Sequence, residues 1–262
     1  MPMRRRTIIL GGGALLAGAG ALFVTRTGNS SGGAPISRRS FAWKASDFRS
    51  GGTAGIPTDL PEPIFRAEPQ CIATLAQTLG PCHTSDVPIR SDVTDGVAGL
   101  PTRIGLRIVE AETCKPIEGA DVEIWHADAR GVYSGEAAAM CNADDAAARG
   151  SSFLRGRQIS DANGVVSFLT VYPGWYPGRA VHIHLRILLG ERELLVGQLL
   201  FDDALSDLVY QGHPDYSARP MRATMNGGDT VFSASDAAHF IFDFEKLDIG
   251  ALQASYTVGV AA

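Results

Sequence analysis

Short alternating segments dominate the middle and end of the chain. Over residues 101–110, Ile104, Leu106 and Ile108 fall on one face of a β-strand and Arg103, Gly105 and Arg107 on the other. A turn at Lys115-Pro116 and Glu118-Gly119 leads to a second predicted strand, 120–127. Strands follow at 152–160 and 165–171, with Asp161-Ala162-Asn163-Gly164 read as the hairpin turn between them. Another runs through His182, and Val181, Ile183, Leu185 and Ile187 line its apolar face. Strands are also predicted at 191–202, ending in Asp202-Asp203, and at 231–233, 239–244 and 254–260. Short helices are predicted at 205–210 and 249–252. Many short strands with little helix indicate an all-β chain, an antiparallel β-sandwich with long loops.

The N-terminal region has a different pattern. Arg4-Arg5-Arg6 precede an apolar, glycine-rich stretch from Ile8 to Val24. A charged segment followed by an apolar one reads as a twin-arginine export signal over residues 1–28. The competing reading is a membrane anchor, so the N-terminus is expected at the membrane transiently or permanently. Residues 29–66, rich in Gly, Ser, Pro and Thr without periodicity, read as a flexible linker, and 67–262 as the folded domain. The expected localisation is periplasmic or extracellular. Formal net charge is −5, and no Lys/Arg run lies beyond the N-terminus, which argues against nucleic acid. The number of subunits stays open, a homodimer included.

Four cysteines, Cys71, Cys82, Cys114 and Cys141, are an even count in a chain read as exported. None forms a Cys-x-x-Cys pair, which favours two disulfides over a zinc knuckle. The shortest loops join Cys71 to Cys82 and Cys114 to Cys141, and this pairing is expected.

The densest candidate chemistry lies between Tyr172 and His184. On a strand His182 and His184 share a face, about 6.6–6.8 Å apart, within reach of one metal ion. Upstream, a Pro/Gly-punctuated turn carries Tyr172, Tyr176 and Arg179. A metallo-β-lactamase-like hydrolase would need Asp two residues after His184, where Arg186 stands. A cupin would need an acid where Leu188 and Leu189 stand. Tyrosine is a poor zinc ligand and a good one for a hard ion such as Fe(III), which must lower the phenol pKa from about 10. Spacing alone leaves Tyr172 and Tyr176 equally placed.

Two runs bear on that choice. Ile124-Trp125-His126-Ala127-Asp128-Ala129-Arg130-Gly131-Val132-Tyr133-Ser134-Gly135 and Pro173-Gly174-Trp175-Tyr176-Pro177-Gly178-Arg179-Ala180-Val181-His182-Ile183-His184 resemble the intradiol ring-cleavage dioxygenases, non-haem Fe(III) enzymes of the catechol 1,2- and protocatechuate 3,4-dioxygenase kind. The resemblance spans about Gly80 to Asn226. It implies one Fe(III) per chain held by Tyr133, Tyr176, His182 and His184, with Tyr176 leaving the metal to take a substrate proton. It also implies that Arg179 steadies charge on the bound ring, and that Gln198, Gly80 and Pro81 line the substrate pocket. The implied substrates are a small aromatic diol and O₂, and the product is a muconate-type diacid.

Departures from the better-known members narrow this expectation. Only five residues separate Tyr176 from His182, and Gly178 stands where protocatechuate enzymes carry a tryptophan. A more open pocket is expected. Cys82-His83 replaces an aromatic pair after Gly80-Pro81, which resembles an exported, disulfide-bearing subgroup. His83 and His126 are further candidates for the surroundings of the site. His213 and His239 read as surface or turn residues, and Tyr172 as packing. Two other classes compete: a non-catalytic transthyretin-like binding module, and a zinc hydrolase using the His-x-His pair.

Overall fold

The computed structural model describes residues 36–37, 40–65, 72–142 and 145–261. The predicted signal, residues 1–28, and Cys71 lie outside the described residues. Among the described residues no helix is long and apolar enough to cross a membrane.

The described residues are mostly β, in two four-stranded sheets. The strands are β1 (Pro101–Glu110), β2 (Asp121–Trp125), β3 (Arg155–Ile159), β4 (Val165–Val171), β5 (His182–Leu189), β6 (Arg192–Leu200), β7 (Asp243–Lys246) and β8 (Leu252–Val260). One sheet has the order β4-β1-β8-β7 and the other β3-β2-β5-β6. Helices are short: α1 (Ala139–Asn142), α2 (Ala146–Arg149), α3 (Asp203–Gly212) and α4 (Ala234–Ala237). Asp202 caps α3, its carboxylate accepting from the amides of Ala204 and Leu205. One apolar cluster draws on both sheets: Ile104, Leu106, Ile108 and Phe168 from the first, Val122, Ile124, Ile183, Leu185 and Leu199 from the second. The aliphatic face of β5 is therefore spent on the core, and its histidine face is turned away from it.

Several expectations are corrected. The sheets are not wholly antiparallel, because β1 and β8 pair in parallel at the centre of the first sheet. Parallel neighbours need a long crossover, and more than a hundred residues separate these two in sequence. The Asp161–Gly164 turn forms, with the Gly164 amide donating to Asp161 O at 2.8 Å. It is not a hairpin, because the strands it joins belong to different sheets. Residues 231–233 form no strand: the Asp229 carboxylate takes the amides of Val231 and Phe232. Residues 249–252 form no helix but a turn, Gly250 N to Leu247 O at 2.9 Å, before β8 begins at Leu252. The predicted strand at 239–244 starts only at Asp243, after a 3₁₀ turn over Ala238–Phe240.

Part of the stretch read as linker packs on the domain. Trp43 meets Phe48 and Phe244 at 5.9 Å, and Phe48 is buried. The amides of Arg49 and Gly52 donate to Gly250 O and Gly99 O, each at 2.9 Å. Gly105 leaves room for Pro63, against which a Cβ would collide, and Ser255 Oγ donates to Ile64 O at 2.7 Å. Isolated anchors of this kind leave no periodic trace.

Candidate active site

Two loops and one strand start build the site. The Tyr133 loop follows β2. The Asp128 carboxylate accepts from the amides of Arg130 and Val132 at 2.9 and 3.0 Å, curling the chain. The Tyr176 loop precedes β5. Glycine is required where the two loops touch: a Cβ on Gly131 would overlap the Trp175 carbonyl, and one on Gly174 the Asp128 carbonyl. Arg219 staples them, donating to Ala129 O at 3.0 Å and Trp175 O at 2.8 Å while lying 4.4 Å over the Trp175 ring.

Four donor atoms converge there. Tyr133 Oη lies 3.2 Å from Tyr176 Oη and 3.4 Å from His182 Nε2. Tyr176 Oη is 3.0 Å, and His184 Nε2 3.2 Å, from His182 Nε2. The Nδ1–H of His182 donates to Ala180 O at 2.7 Å, which leaves the Nε2 lone pair facing the cluster. His184 stacks on Trp125, its cross-strand neighbour, at 4.8 Å and 11°. Burial, with Arg179 adding to it, lowers the His182 pKa to about 3. Burial and the neighbouring His182 lower that of His184 well below the usual range. Burial raises both phenols, Tyr133 with a further push from Tyr176. Without a cation the four groups are neutral, and the two phenol protons are shared among four crowded acceptor atoms.

Arg179 borders this cluster. Its Nη1 lies 3.5 Å from His182 Nε2, its Nη2 donates to Gln198 Oε1, and its Nε donates to Asp229 at 3.0 Å. Gln198 is paired opposite His184 and donates to Thr78 O at 3.2 Å. Gly80, at φ +75°, lies over the His184 ring, where a Cβ would come within 3.3 Å of Cε1. Pro81 follows at the surface, its carbonyl accepting from Ala138 N. Nothing stands within 4 Å of where a Gly178 side chain would begin, so this edge of the site is open.

The disulfide expectation is overturned. Cys82 bonds to Cys141, with Cα atoms 5.6 Å apart and a sequence separation of 59. Cys114 is also disulfide-bonded. Loop-closure entropy rises only slowly with length, so the short-loop preference was easily outweighed by where the fold brings the thiols. The bridge packs with Trp125, Tyr133 and Tyr176, and Cys141 O accepts from Tyr133 N at 2.9 Å. Arg155, buried, donates to Cys82 O at 2.7 Å and to Ser134 O at 3.2 Å, holding the two sides together.

Other candidates fall outside the donor set. His83 Nε2 is 3.1 Å from a Glu123 carboxylate oxygen, and its ring meets Trp125 edge-on. His126 is buried between Ala127 O and Thr170 Oγ1, and burial lowers its pKa to about 4. Tyr172 packs in the core with its hydroxyl 2.8 Å from Ser206 Oγ, as expected. His213, read as a surface or turn residue, opens a turn, its carbonyl accepting from Tyr216 N at 3.0 Å, but it is fully buried, with Nε2 donating to Arg49 O at 2.8 Å. Its burial leaves no local trace because its partner lies in the stretch taken for linker. Asp229, Arg155 and Arg219 were missed. Each acts on the site from a distant segment, and nothing near them in sequence signals it.

Comparison with known proteins places the chain in a family. The family profile described as Dioxygenase matches residues 80–219. The protocatechuate 3,4-dioxygenase beta chain of Burkholderia cepacia is 32% identical over 146 residues, 49% of this chain and 60% of that relative. The chain thus spans three fifths of that relative's length. The intradiol ring-cleavage dioxygenase from Tetranychus urticae superposes with a TM-score of 0.64 at 30% identity, over 72% of this chain and 94% of that one. The dioxygenase domain of a carbohydrate-binding fusion from Streptomyces sp. SirexAA-E shares the fold, with a TM-score of 0.51 at 23% identity, over 71% and 97%. From the profile match and the Tetranychus structure together, the chain belongs to the intradiol ring-cleavage dioxygenases.

Proposed function

We propose that the protein is a non-haem Fe(III)-dependent dioxygenase that opens catechol-type aromatics between their two hydroxyl-bearing carbons, using O₂, to give muconate-type diacids. The observation that carries this is the convergence of two phenol oxygens and two imidazole nitrogens, with His182 Nε2 lying 3.0–3.4 Å from each of the other three. The donor set fits a hard trivalent ion, which would draw both phenols into the phenolate form that burial opposes. Among the described residues no group of three or more His, Cys, Asp or Glu is placed to hold a metal, so a zinc site would lack ligands without the tyrosines.

In this reading Tyr133, Tyr176, His182 and His184 hold the ferric ion. Bound there, it would act as a Lewis acid that lowers the pKa of the diol's hydroxyls, and the deprotonated ring is the electron-rich form that reacts with O₂. The chain's own groups do the rest. Tyr176, the more exposed of the two phenols, takes a proton from the incoming diol. Arg179 holds a fixed positive charge where negative charge builds up on the ring, worth about 3–4 kcal/mol by analogy with one oxyanion donor. Gln198 keeps the guanidinium aimed, and Gly80 leaves a flat floor beside His184. The open edge at Gly178 suits substituted or bulky catechols. The Cys82–Cys141 bridge accords with an oxidising compartment outside the cytoplasm.

Reconstitution with ferric iron tests the proposal. The protein is expected to turn wine-red from tyrosinate-to-iron absorption and to consume O₂ with some member of a catechol panel. A colourless ferric sample that takes up no oxygen with any diol would overturn it.

A further inference from the structure

Asp229 lies beyond residues 80–219, the stretch matched by the family profile, in a loop between α3 and α4. Its carboxylate is fully buried. Every contact it makes is from a donor: Arg179 Nε at 3.0 and 3.3 Å, Ala180 N at 2.6 Å, Val231 N at 2.7 Å and Phe232 N at 3.2 Å. Two of these cap its own turn. The other two reach fifty residues back to the root of β5. Ala180, whose amide Asp229 holds, gives its carbonyl to His182 Nδ1 at 2.7 Å. One carboxylate therefore holds the arginine side chain and, through the single residue Ala180, reaches the first imidazole.

We infer that Asp229 is a positioning residue for ring cleavage: it aims the Arg179 guanidinium into the donor cluster. The inference rests on the ferric reading of the site. Arg179 has a long side chain with several rotatable bonds, and an unanchored guanidinium would spread over many rotamers. Asp229 at Nε and Gln198 at Nη2 leave Nη1 directed at His182 Nε2. A group that acts on charge arising during reaction loses its effect on kcat when misplaced, and a displacement of ~1 Å can cost about 100-fold. Because only donors face Asp229, an asparagine there would turn its NH₂ toward an N–H, so Asp229→Asn removes more than charge.

The test compares Asp229→Asn, Arg179→Ala and the double variant with the wild type as ferric proteins. Asp229→Asn should keep its iron and tyrosinate absorption, change KM by less than about threefold, and lower kcat about 10- to 100-fold. In the Arg179→Ala background the same change should lower kcat by no more than about twofold, since its target is gone. An equal loss in both backgrounds, or an unchanged kcat in Asp229→Asn, overturns the inference. If Asp229→Asn does not fold, Asp229→Ser replaces it, keeping an acceptor for Val231 N while falling short of Arg179. If neither variant folds with iron bound, Asp229 is a scaffold residue and the inference fails. A wild type that holds no ferric iron sinks the ferric reading instead, which separates the two failures.

Discussion

Two tyrosine clusters sit a short distance apart along this chain, and they use the phenol in opposite ways. Around Tyr172, each hydroxyl has an ordinary protein partner. Tyr172 meets Ser206 Oγ at 2.8 Å, Tyr210 donates to Pro173 O at 2.7 Å, and Tyr216 donates to Tyr172 O at 2.6 Å. Around Tyr176, the hydroxyls of Tyr133 and Tyr176 face each other, imidazole nitrogens and, at Tyr176, the Arg179 guanidinium, with no carbonyl partner among the described residues. Burial raises the phenol pKa in both places. Desolvation therefore does not separate a structural from a chemical tyrosine; the company of the oxygen does. A hydroxyl that donates to a carbonyl has done its work, whereas lone pairs gathered on one space call for a cation. The first cluster also braces the backbone at residues 172–173 from which the second is hung.

The largest expected effect comes from cutting the wall of the second cluster. Replacing Cys82 and Cys141 together by alanine opens a loop of about 60 residues, for which chain entropy gives about 4 kcal/mol of lost stability. Urea unfolding measures that loss. The comparison adds that the tyrosinate absorption should weaken even where the protein stays folded, because Cys141 O anchors Tyr133 N. Full stability loss with unchanged absorption would mean the bridge is indifferent to the site.

Next comes a link between the two loop roots. His126, just after β2, lies 2.7 Å from Thr170 Oγ1 near the end of β4, and is held neutral with a pKa of about 4. Its folded pKa is depressed, so as pH falls the unfolded chain takes up the proton first. Stability from this residue is complete above about pH 6.5, is lost between there and about pH 4, and changes no further below. The loss is about 3 kcal/mol. Burial also holds His182 and His184 neutral, so the wild-type slope of the metal-free protein from pH 8 to 4 carries their contribution too. The difference in unfolding between wild type and His126→Gln measures the His126 share, and the variant's slope should be flatter in that window. An unaltered slope would place the acid sensitivity elsewhere.

Much of this architecture was legible, and for local reasons. The alternation of Ile104, Leu106 and Ile108 marked β1, and that of 165–171 marked β4, because a strand's two faces are set by neighbours two residues apart. The period of two also put His182 and His184 on one face, opposite Ile183 and Leu185. What stayed hidden depends on segments far apart. The alternation in β8 is the same whether it pairs parallel or antiparallel with β1. The Asp161–Gly164 turn has the same residues whether it closes a hairpin or crosses between sheets. Cys82 met Cys141, and Asp229 met Arg179, through topology that spacing does not encode. Choosing Tyr176 over Tyr172 needed the match of whole motifs, since spacing made them equal.

The two phenols of the second cluster are themselves unequal. Tyr133 is 2% exposed and its loop is tied by the disulfide, by Arg155 and by Arg219. Tyr176 is half-buried, beside the exposed Pro177 and Gly178. Tyr133→Phe should therefore lower ferric affinity more than about 100-fold, and Tyr176→Phe only about 10-fold. Competition with a graded chelator, followed by the visible absorption, measures both. Equal losses would mean the burial difference does not bear on which tyrosine is released.

The smallest effect belongs to the first cluster and completes the contrast. Tyr172→Phe deletes one hydroxyl, but Ser206 Oγ still donates to Asp202 O at 2.9 Å, so no donor is stranded. Tyr216 binds the backbone carbonyl of residue 172, which the substitution leaves in place. The lost hydrogen bond is worth about 1 kcal/mol, read as a lower unfolding midpoint. The position and strength of the ferric absorption should not move, because the Tyr172 oxygen lies in the core and not in the donor cluster. A shifted band would show that bracing at residue 172 reaches the metal through the Pro173–Tyr176 backbone, and the two clusters would then be one device.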